Sequence, residues 1–272
     1  MHITQNNFDI KTIANSGQCF RFHKISEQEY RVIAKNKVLH LSQPDENTCV
    51  LDCNAHDFAA IWQPYFDFDT DYSVFVRSAA PDDIFLQNAV QYGKGMRILR
   101  QDAFEMLITF IISQRKNIPA IKQCVETLCT QFGRPIEPAE ESAFAFPTPQ
   151  ALAAQSVDTL RACALGYRAP YVQTAAKMVA SGVLDLNAAQ KMDDESLYQL
   201  LLTVPGVGPK VANCVMLFGF YRIASFPRDV WINRMIDAEY GGVFPLERYS
   251  GYAGVIQQYI FYYARSNEYS AR

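Results

Sequence analysis

What this chain lacks narrows it first. No apolar run reaches about 18 residues without a polar interruption, so no membrane-spanning helix is indicated. The start, MHITQNNFDIKT, has no basic stretch leading into an apolar one, so no secretion signal is read there. An intracellular protein of the cytoplasm or nucleoid is expected. The seven cysteines (Cys19, Cys49, Cys53, Cys124, Cys129, Cys163 and Cys214) are odd in number and scattered. Cys49 and Cys53 share a C-x3-C spacing, but neither a second pair nor a histidine cluster completes a zinc site, and reduced thiols are expected. There is no basic excess either, with 25 Lys and Arg against 28 Asp and Glu. The phosphate-cradling pattern G-x-x-x-x-G-K-[ST] is missing, which excludes a nucleotide P-loop. No fixed-period repeat or low-complexity tract is found.

What is present makes a sizeable core. Hydrophobic residues are 49% of the 272 and charged ones 19%, so disorder is not expected. Charge is unevenly spread. Residues 1–93 hold 7 Lys and Arg against 12 Asp and Glu, whereas residues 94–272 hold 18 against 16. A local basic face in the second part is therefore compatible with the acidic total, because phosphate binding depends on where charges sit.

Periodicity divides the chain in the same way. Residues 16–53 read as strands: EYRVIAKNKVLHLSQ holds two β-rich runs around a polar turn at Lys35, Asn36 and Lys37, and TCVLDC adds another. From Asp83 the spacing turns helical. Asp82 and Asp83 follow Pro81 as helix-start residues, Asp102 opens DAFEMLITFIISQ as an N-cap, and Gly133 closes IPAIKQCVETLCTQFG. The expected architecture is α+β: a small antiparallel β-rich domain over residues 1–95, then an all-helical bundle over 96–272.

Within the bundle, LLTVPGVGPKVANCVMLFGF (201–220) reads as two helices joined by a Gly/Pro turn, a helix–hairpin–helix. Gly206 and Gly208 tolerate positive φ and leave backbone N–H groups uncovered. Pro209 suits the first turn of the second helix. Exposed amides at that helix start favour an anion such as a DNA phosphate. Lys210 sits in the same first turn, where the positive end of the helix dipole disfavours an ammonium and so favours a nucleophilic amine. Read alone, it is a solvated lysine beside a tight turn. Cys214 lies one turn later on the same face, and Asp229 in SFPRDVWINR reads as an N-cap whatever else it does.

These segments resemble the helix–hairpin–helix DNA glycosylases, and among them the 8-oxoguanine DNA glycosylases. The likeness rests on VPGVGPK and the later Asp, and also on SGQCFRF (16–22), GMRILRQDAFEMLITFIISQ (95–114), LGYRAPYV (165–172) and YAGVIQQYIF (252–261). The resemblance implies a bifunctional DNA glycosylase/AP lyase that removes 8-oxoguanine from duplex DNA in base excision repair. It implies Lys210 as the nucleophile at C1′ of the damaged nucleotide, forming a Schiff base, and Asp229 as the carboxylate that stabilises the oxocarbenium-like sugar. The target base must leave the stack to reach them. Cys214 and Phe261 would sandwich it, and Gln257 would read its pairing edge. The Gly17 carbonyl would accept the proton that 8-oxoguanine carries on N7 and guanine lacks. By itself Gly17 reads equally well as a strand-start glycine. Tyr167 and Arg168 match a duplex wedge and a contact to the orphaned cytosine, although GYR alone reads as a helix-ending loop.

Three positions depart from the better-known eukaryotic pattern of that family. The Asn-rich segment filling the vacated helix reads SQRKNIPAI, with Arg115 in place of the first Asn, and Arg115 and Asn117 are carried as DNA contacts. Ala120 replaces an arginine that helps read the opposite cytosine, which predicts a weakened cytosine preference. Trp231, carried with the base pocket, replaces a histidine two residues past Asp229. No cofactor is expected, since no cysteine follows Cys214 and an iron–sulfur loop near the C-terminus cannot form. A structural ion on the hairpin carbonyls is compatible with the pattern. Duplex DNA bearing oxidised guanine is the expected partner, met by a monomer. The competing readings are an endonuclease III-like glycosylase for other oxidised bases, or a non-catalytic helix–hairpin–helix DNA-binding protein.

Overall fold

The computed structural model describes residues 1–137, 143–266 and 269. The helical domain expected through Arg272 reaches outside the described residues at 138–142, 267, 268 and 270–272. Five antiparallel strands form one sheet: β1 (His2–Thr4), β2 (Phe22–Lys24), β3 (Glu29–Ala34), β4 (Lys37–Ser42) and β5 (Thr48–Leu51), in the order β1-β5-β4-β3-β2. β3 and β4 pair with Ile33 opposite Val38, joined by Lys35 and Asn36 at φ 46° and 62°. Two successive left-handed residues are what a tight two-residue hairpin needs. Residues 16–21, expected in strand, form a loop instead, and β1 adds a strand to β5 that was not anticipated.

The helices of six residues or more are α1 (Ile10–Asn15), α2 (Ile84–Tyr92), α3 (Ala103–Ser113), α4 (Ile118–Phe132), α5 (Ala169–Ala180), α6 (Asp194–Leu202), α7 (Pro209–Gly219), α8 (Val230–Tyr240) and α9 (Ala253–Ala264). Local caps set several boundaries. The carboxylates of Asp83 and Asp102 accept from the Leu86 and Glu105 amides at 2.9 Å, and the Gly133 N–H closes α4 on the Cys129 carbonyl at 2.7 Å. Each such side-chain cap contributes about 1 kcal/mol.

Two apolar cores lie side by side. One packs the sheet against α1 and the segment around Trp62, through residues such as Phe22, Val32, Leu39 and Phe66. The other centres on α3, where Met106 through Ile112 are all buried, together with α7 and α9. A helix buried on every side has no solvent face to spare, so α3 is the axis around which the bundle assembles. The cores interlock along the chain: Phe85, Leu86, Ala89 and Val90 of α2 belong to the helical core, whereas Leu99 belongs to the sheet core. Residues 96–101 cross between them and are held from both sides. The buried Arg97 guanidinium donates to the carbonyls of Asn6, Asn7, Asp67 and Thr70.

Candidate active site

The S-G-Q loop is locked in place before it meets anything else. The buried Gln18 side chain donates to Ser16 Oγ (2.9 Å) and the Arg97 carbonyl (2.8 Å), and accepts from the Leu99 amide (2.8 Å). Between Ser16 and Gln18, Gly17 adopts φ +80°, and a Cβ there would sit 3.1 Å from the Phe261 ring and 3.3 Å from Ile118. The backbone conformation favours glycine, and a Cβ would also press on both side chains. The loop thus brings a main-chain segment of the β-rich part against the helix carrying Phe261.

Gly17 and Phe261 form part of a cavity of about 40 Å³, with Phe110 from α3, Lys210, Cys214 and Phe218 from α7, Asp229 from the start of α8, and Gln257 and Gln258 from α9. That volume admits a few waters, not a purine, so a base enters only if a side chain withdraws. The Lys210 Nζ lies 5.3 Å from the Phe110 ring centroid, and Phe110 stacks on Phe218 at 5.4 Å. The amine thus lies over an apolar floor. Burial pushes the Cys214 thiol above the ordinary thiol range, with Lys210 pulling against the shift and Asp229 adding to it. Cys214 is therefore a neutral wall of the cavity.

Asp229 is the N-cap of α8: its Oδ1 accepts from the Ile232 amide at 2.9 Å, while the residue also lines the cavity. Just outside, Arg265 lies 5.0 Å from the Phe261 centroid. Its guanidinium is held below the usual arginine range by desolvation, against the attraction of Asp229. Gln257 and Gln258 are both 3% exposed, and Gln258 Nε2 donates to Gln257 Oε1 at 2.9 Å.

Next to the cavity runs a groove lined by Gln114, Arg115, Tyr167, Tyr171, Gly206, Val207 and Gly208. Gly206 turns at φ +85°, but Gly208 is extended at φ −102°, so only one of the two glycines uses the left-handed region. A Cβ on Gly206 would lie 2.6 Å from Tyr171 Cγ. The Gly206 carbonyl accepts from Gln114 Nε2 (3.0 Å), and the Gln114 carbonyl in turn accepts from Arg168 Nε (2.9 Å). Arg168, expected to touch the orphaned base, is 6% exposed, with its guanidinium on the carbonyls of Gln114 and Leu165. It braces the hairpin. Tyr167 is exposed, with the Arg168 guanidinium 4.3 Å from its ring centroid.

Arg115 is exposed at φ +53° on the groove wall, and Asn117 caps α4 by accepting from the Ala120 amide at 2.9 Å. Trp231, carried with the base pocket, does not line the cavity. It stands 40% exposed on α8 with the Arg234 guanidinium 5.5 Å from its ring centroid. Sequence reasoning missed Phe110, Phe218 and Gln258, all on helices so thoroughly apolar or buried that one residue could not be told from the next.

A wider cleft of about 740 Å³ opens at the N-terminal end of α3, between Arg21, Arg100, Glu105 and Tyr221 among others. Burial pushes the Glu105 carboxyl up to about 7, with Arg21 opposing. Lys210 and Asp229 do not line this cleft. Among the described residues no group of three or more His, Cys, Asp or Glu could hold a metal ion, and no helix is long and apolar enough to cross a membrane.

The half-buried Lys210 and Asp229 share their cavity beside a helix–hairpin–helix, and residues 108–241 match the model of the HhH-GPD superfamily base excision DNA repair proteins. Residues 1–107 match the 8-oxoguanine DNA glycosylase N-terminal domain. The chain is 34% identical to an 8-oxoguanine glycosylase/lyase from Clostridium acetobutylicum, solved with double-stranded DNA containing cytosine opposite 8-oxoguanine. The TM-score is 0.91, covering 97% of this chain and 93% of that one. An N-glycosylase/DNA lyase of Saccharomyces cerevisiae is 29% identical over 272 residues, 88% of this chain and 70% of that protein. A probable N-glycosylase/DNA lyase of Methanothermobacter thermautotrophicus is 29% identical over 213 residues, 68% of each. The chain belongs to the 8-oxoguanine DNA glycosylase family of the helix–hairpin–helix superfamily.

Proposed function

We propose that this protein is a bifunctional DNA glycosylase/AP lyase that excises 8-oxoguanine from duplex DNA. One observation carries the assignment of roles: an amine, a carboxylate, two amides and an aromatic wall converge on one small cavity beside the hairpin. The hairpin amides at the start of α7 have no intrahelical carbonyl partner and take a phosphate of the damaged strand. Tyr167 wedges into the stack as the base turns out. The base then lies between Cys214 and Phe261, its pairing edge toward Gln257 and its N7–H toward the Gly17 carbonyl. An unprotonated N7 would leave that carbonyl buried without a donor, which is how guanine is refused.

The chemistry follows from the two charged groups. The Lys210 amine forms a bond to C1′ as the bond from C1′ to the base breaks, and the departing base takes up a proton. Asp229 lowers the energy of the positive charge that develops on the sugar. Opening of the sugar ring leaves an imine between Lys210 and C1′. That imine acidifies C2′, and β-elimination expels the 3′ phosphate to nick the strand. The protein does this inside the cell, at the genome, as a monomer and without an iron–sulfur cluster.

Borohydride reduction during turnover of an 8-oxoguanine duplex tests the nucleophile. The wild-type protein is expected to become covalently joined to the DNA, and Lys210→Gln to give no adduct. An adduct from Lys210→Gln at the wild-type level, or none from the wild type, would overturn the assignment.

A further inference from the structure

The amide beside the expected base reader has an unused acceptor. Gln258 follows Gln257 on α9, is 3% exposed and lines the same cavity. Its Nε2 is committed to Gln257 Oε1 at 2.9 Å. Its own Oε1 is buried and has no hydrogen-bond partner. A buried amide oxygen left in that state is destabilising, and among the orphaned buried side-chain atoms of the described residues it is the one that lines the cavity. All the neighbouring positions of α9 from Ala253 to Ile260 are buried, mostly by apolar side chains, so an apolar residue would fit at 258. A polar residue there with one open lone-pair site is shaped for a donor that arrives from outside.

The bond between the two amides also decides what each presents. With one lone pair of Gln257 Oε1 taken by Gln258, the amide is oriented and its Nε2 is left to donate. Gln258 offers the complementary acceptor. The pairing edge of guanine and of 8-oxoguanine carries a carbonyl acceptor, O6, next to the N1–H and amino donors. Donor and acceptor side by side on α9 match acceptor and donor side by side on the base.

We propose that Gln258 is a second reader of the extruded base: it fixes the Gln257 amide with its own N–H and accepts a hydrogen bond from the N1–H or amino group of the base through Oε1. This rests on the reading of the cavity as the base pocket. Cys214 and Phe261 then supply stacking, Gly17 reads the lesion-specific N7–H, and the glutamine pair recognises the purine as a guanine. The orphaned oxygen is satisfied only in the complex, so its cost in the free protein becomes a preference for the right base.

The test compares two reactions of the same protein: base excision from an 8-oxoguanine duplex under single-turnover conditions, and strand cleavage at a preformed abasic site. The second needs Lys210 and the hairpin but has no base to read. Gln258→Leu keeps the side-chain size and removes both polar atoms. Excision is expected to fall roughly 10- to 100-fold, the usual consequence of leaving a buried group of the base unpaired, with abasic-site cleavage unchanged. Gln258→Glu, which retains an acceptor oxygen, should recover part of the excision. Parallel loss of both activities would assign Gln258 to the fold, and unchanged excision would remove it from recognition; either overturns the proposal. If the wild-type protein cleaves abasic sites but releases no 8-oxoguanine, the functional reading fails first, independently of Gln258.

Discussion

The cavity and the groove share the first turn of α7 and are built in opposite ways. The cavity, about 40 Å³, is walled mainly by side chains on the packed helices α3, α7 and α9, with Gly17 and Asp229 at its edge. The groove is made of loops, with Arg115 and Gly206 both at positive φ, and opens to about 540 Å³. One is small and walled largely by packed helices, and the other is wide and open. Affinity for DNA in general should therefore reside in the groove, and chemistry and lesion choice in the cavity.

The largest effect that tests this division lies in the cavity. Asn caps a helix about as well as Asp, so Asp229→Asn keeps α8 in place while removing the charge. Single-turnover base release should slow on the order of 10²- to 10³-fold, as for other lost transition-state electrostatics, with lesion-duplex affinity retained. Unchanged release would reduce Asp229 to its capping role. Next comes the groove. Gly206→Ala combines a left-handed backbone with a Cβ pressed against Tyr171. It should weaken binding to damaged and undamaged duplexes alike by about tenfold, given strain of about 1–3 kcal/mol. A loss confined to lesion DNA would break the division. The smallest effect concerns the opposite strand. Without an arginine at Ala120, excision opposite cytosine should exceed that opposite adenine by less than about tenfold, because a bidentate contact supplying about 1–3 kcal/mol is absent. A strong cytosine preference in an opposite-base panel would show that Arg115 or another groove residue replaces it.

How much of this could be read from the residues depended on whether the cause was local. The β3–β4 turn, the caps at Asp83 and Asp102 and the end of α4 at Gly133 are set by neighbours within a few positions, and they stand where the spacing put them. β1 is three residues long and exists only because β5 is there to pair with it. The grouping of Gly17, Lys210, Cys214, Asp229, Gln257 and Phe261 was expected from resemblance and not from periodicity. Where long-range contacts decide, the expectation slipped. Arg168 is drawn onto the Gln114 carbonyl, 54 positions away, whereas Gly208 departs for a local reason, being extended ahead of Pro209. Trp231 left the pocket since α8 turns its second residue outward. Gln258 was hidden by its neighbour: on a helix buried all round, no polarity contrast separates a reader from filler.

The cap on α8 has a further consequence. One oxygen of the Asp229 carboxylate is tied to the Ile232 amide. That bond restrains the carboxylate, and the cap is made through Oδ1 and not through the second oxygen. The helix works as a mount that aims a charge. Melting the first turn of α8 would leave the carboxylate in the protein yet let it swing, so base release should report on the integrity of that turn well before the protein unfolds.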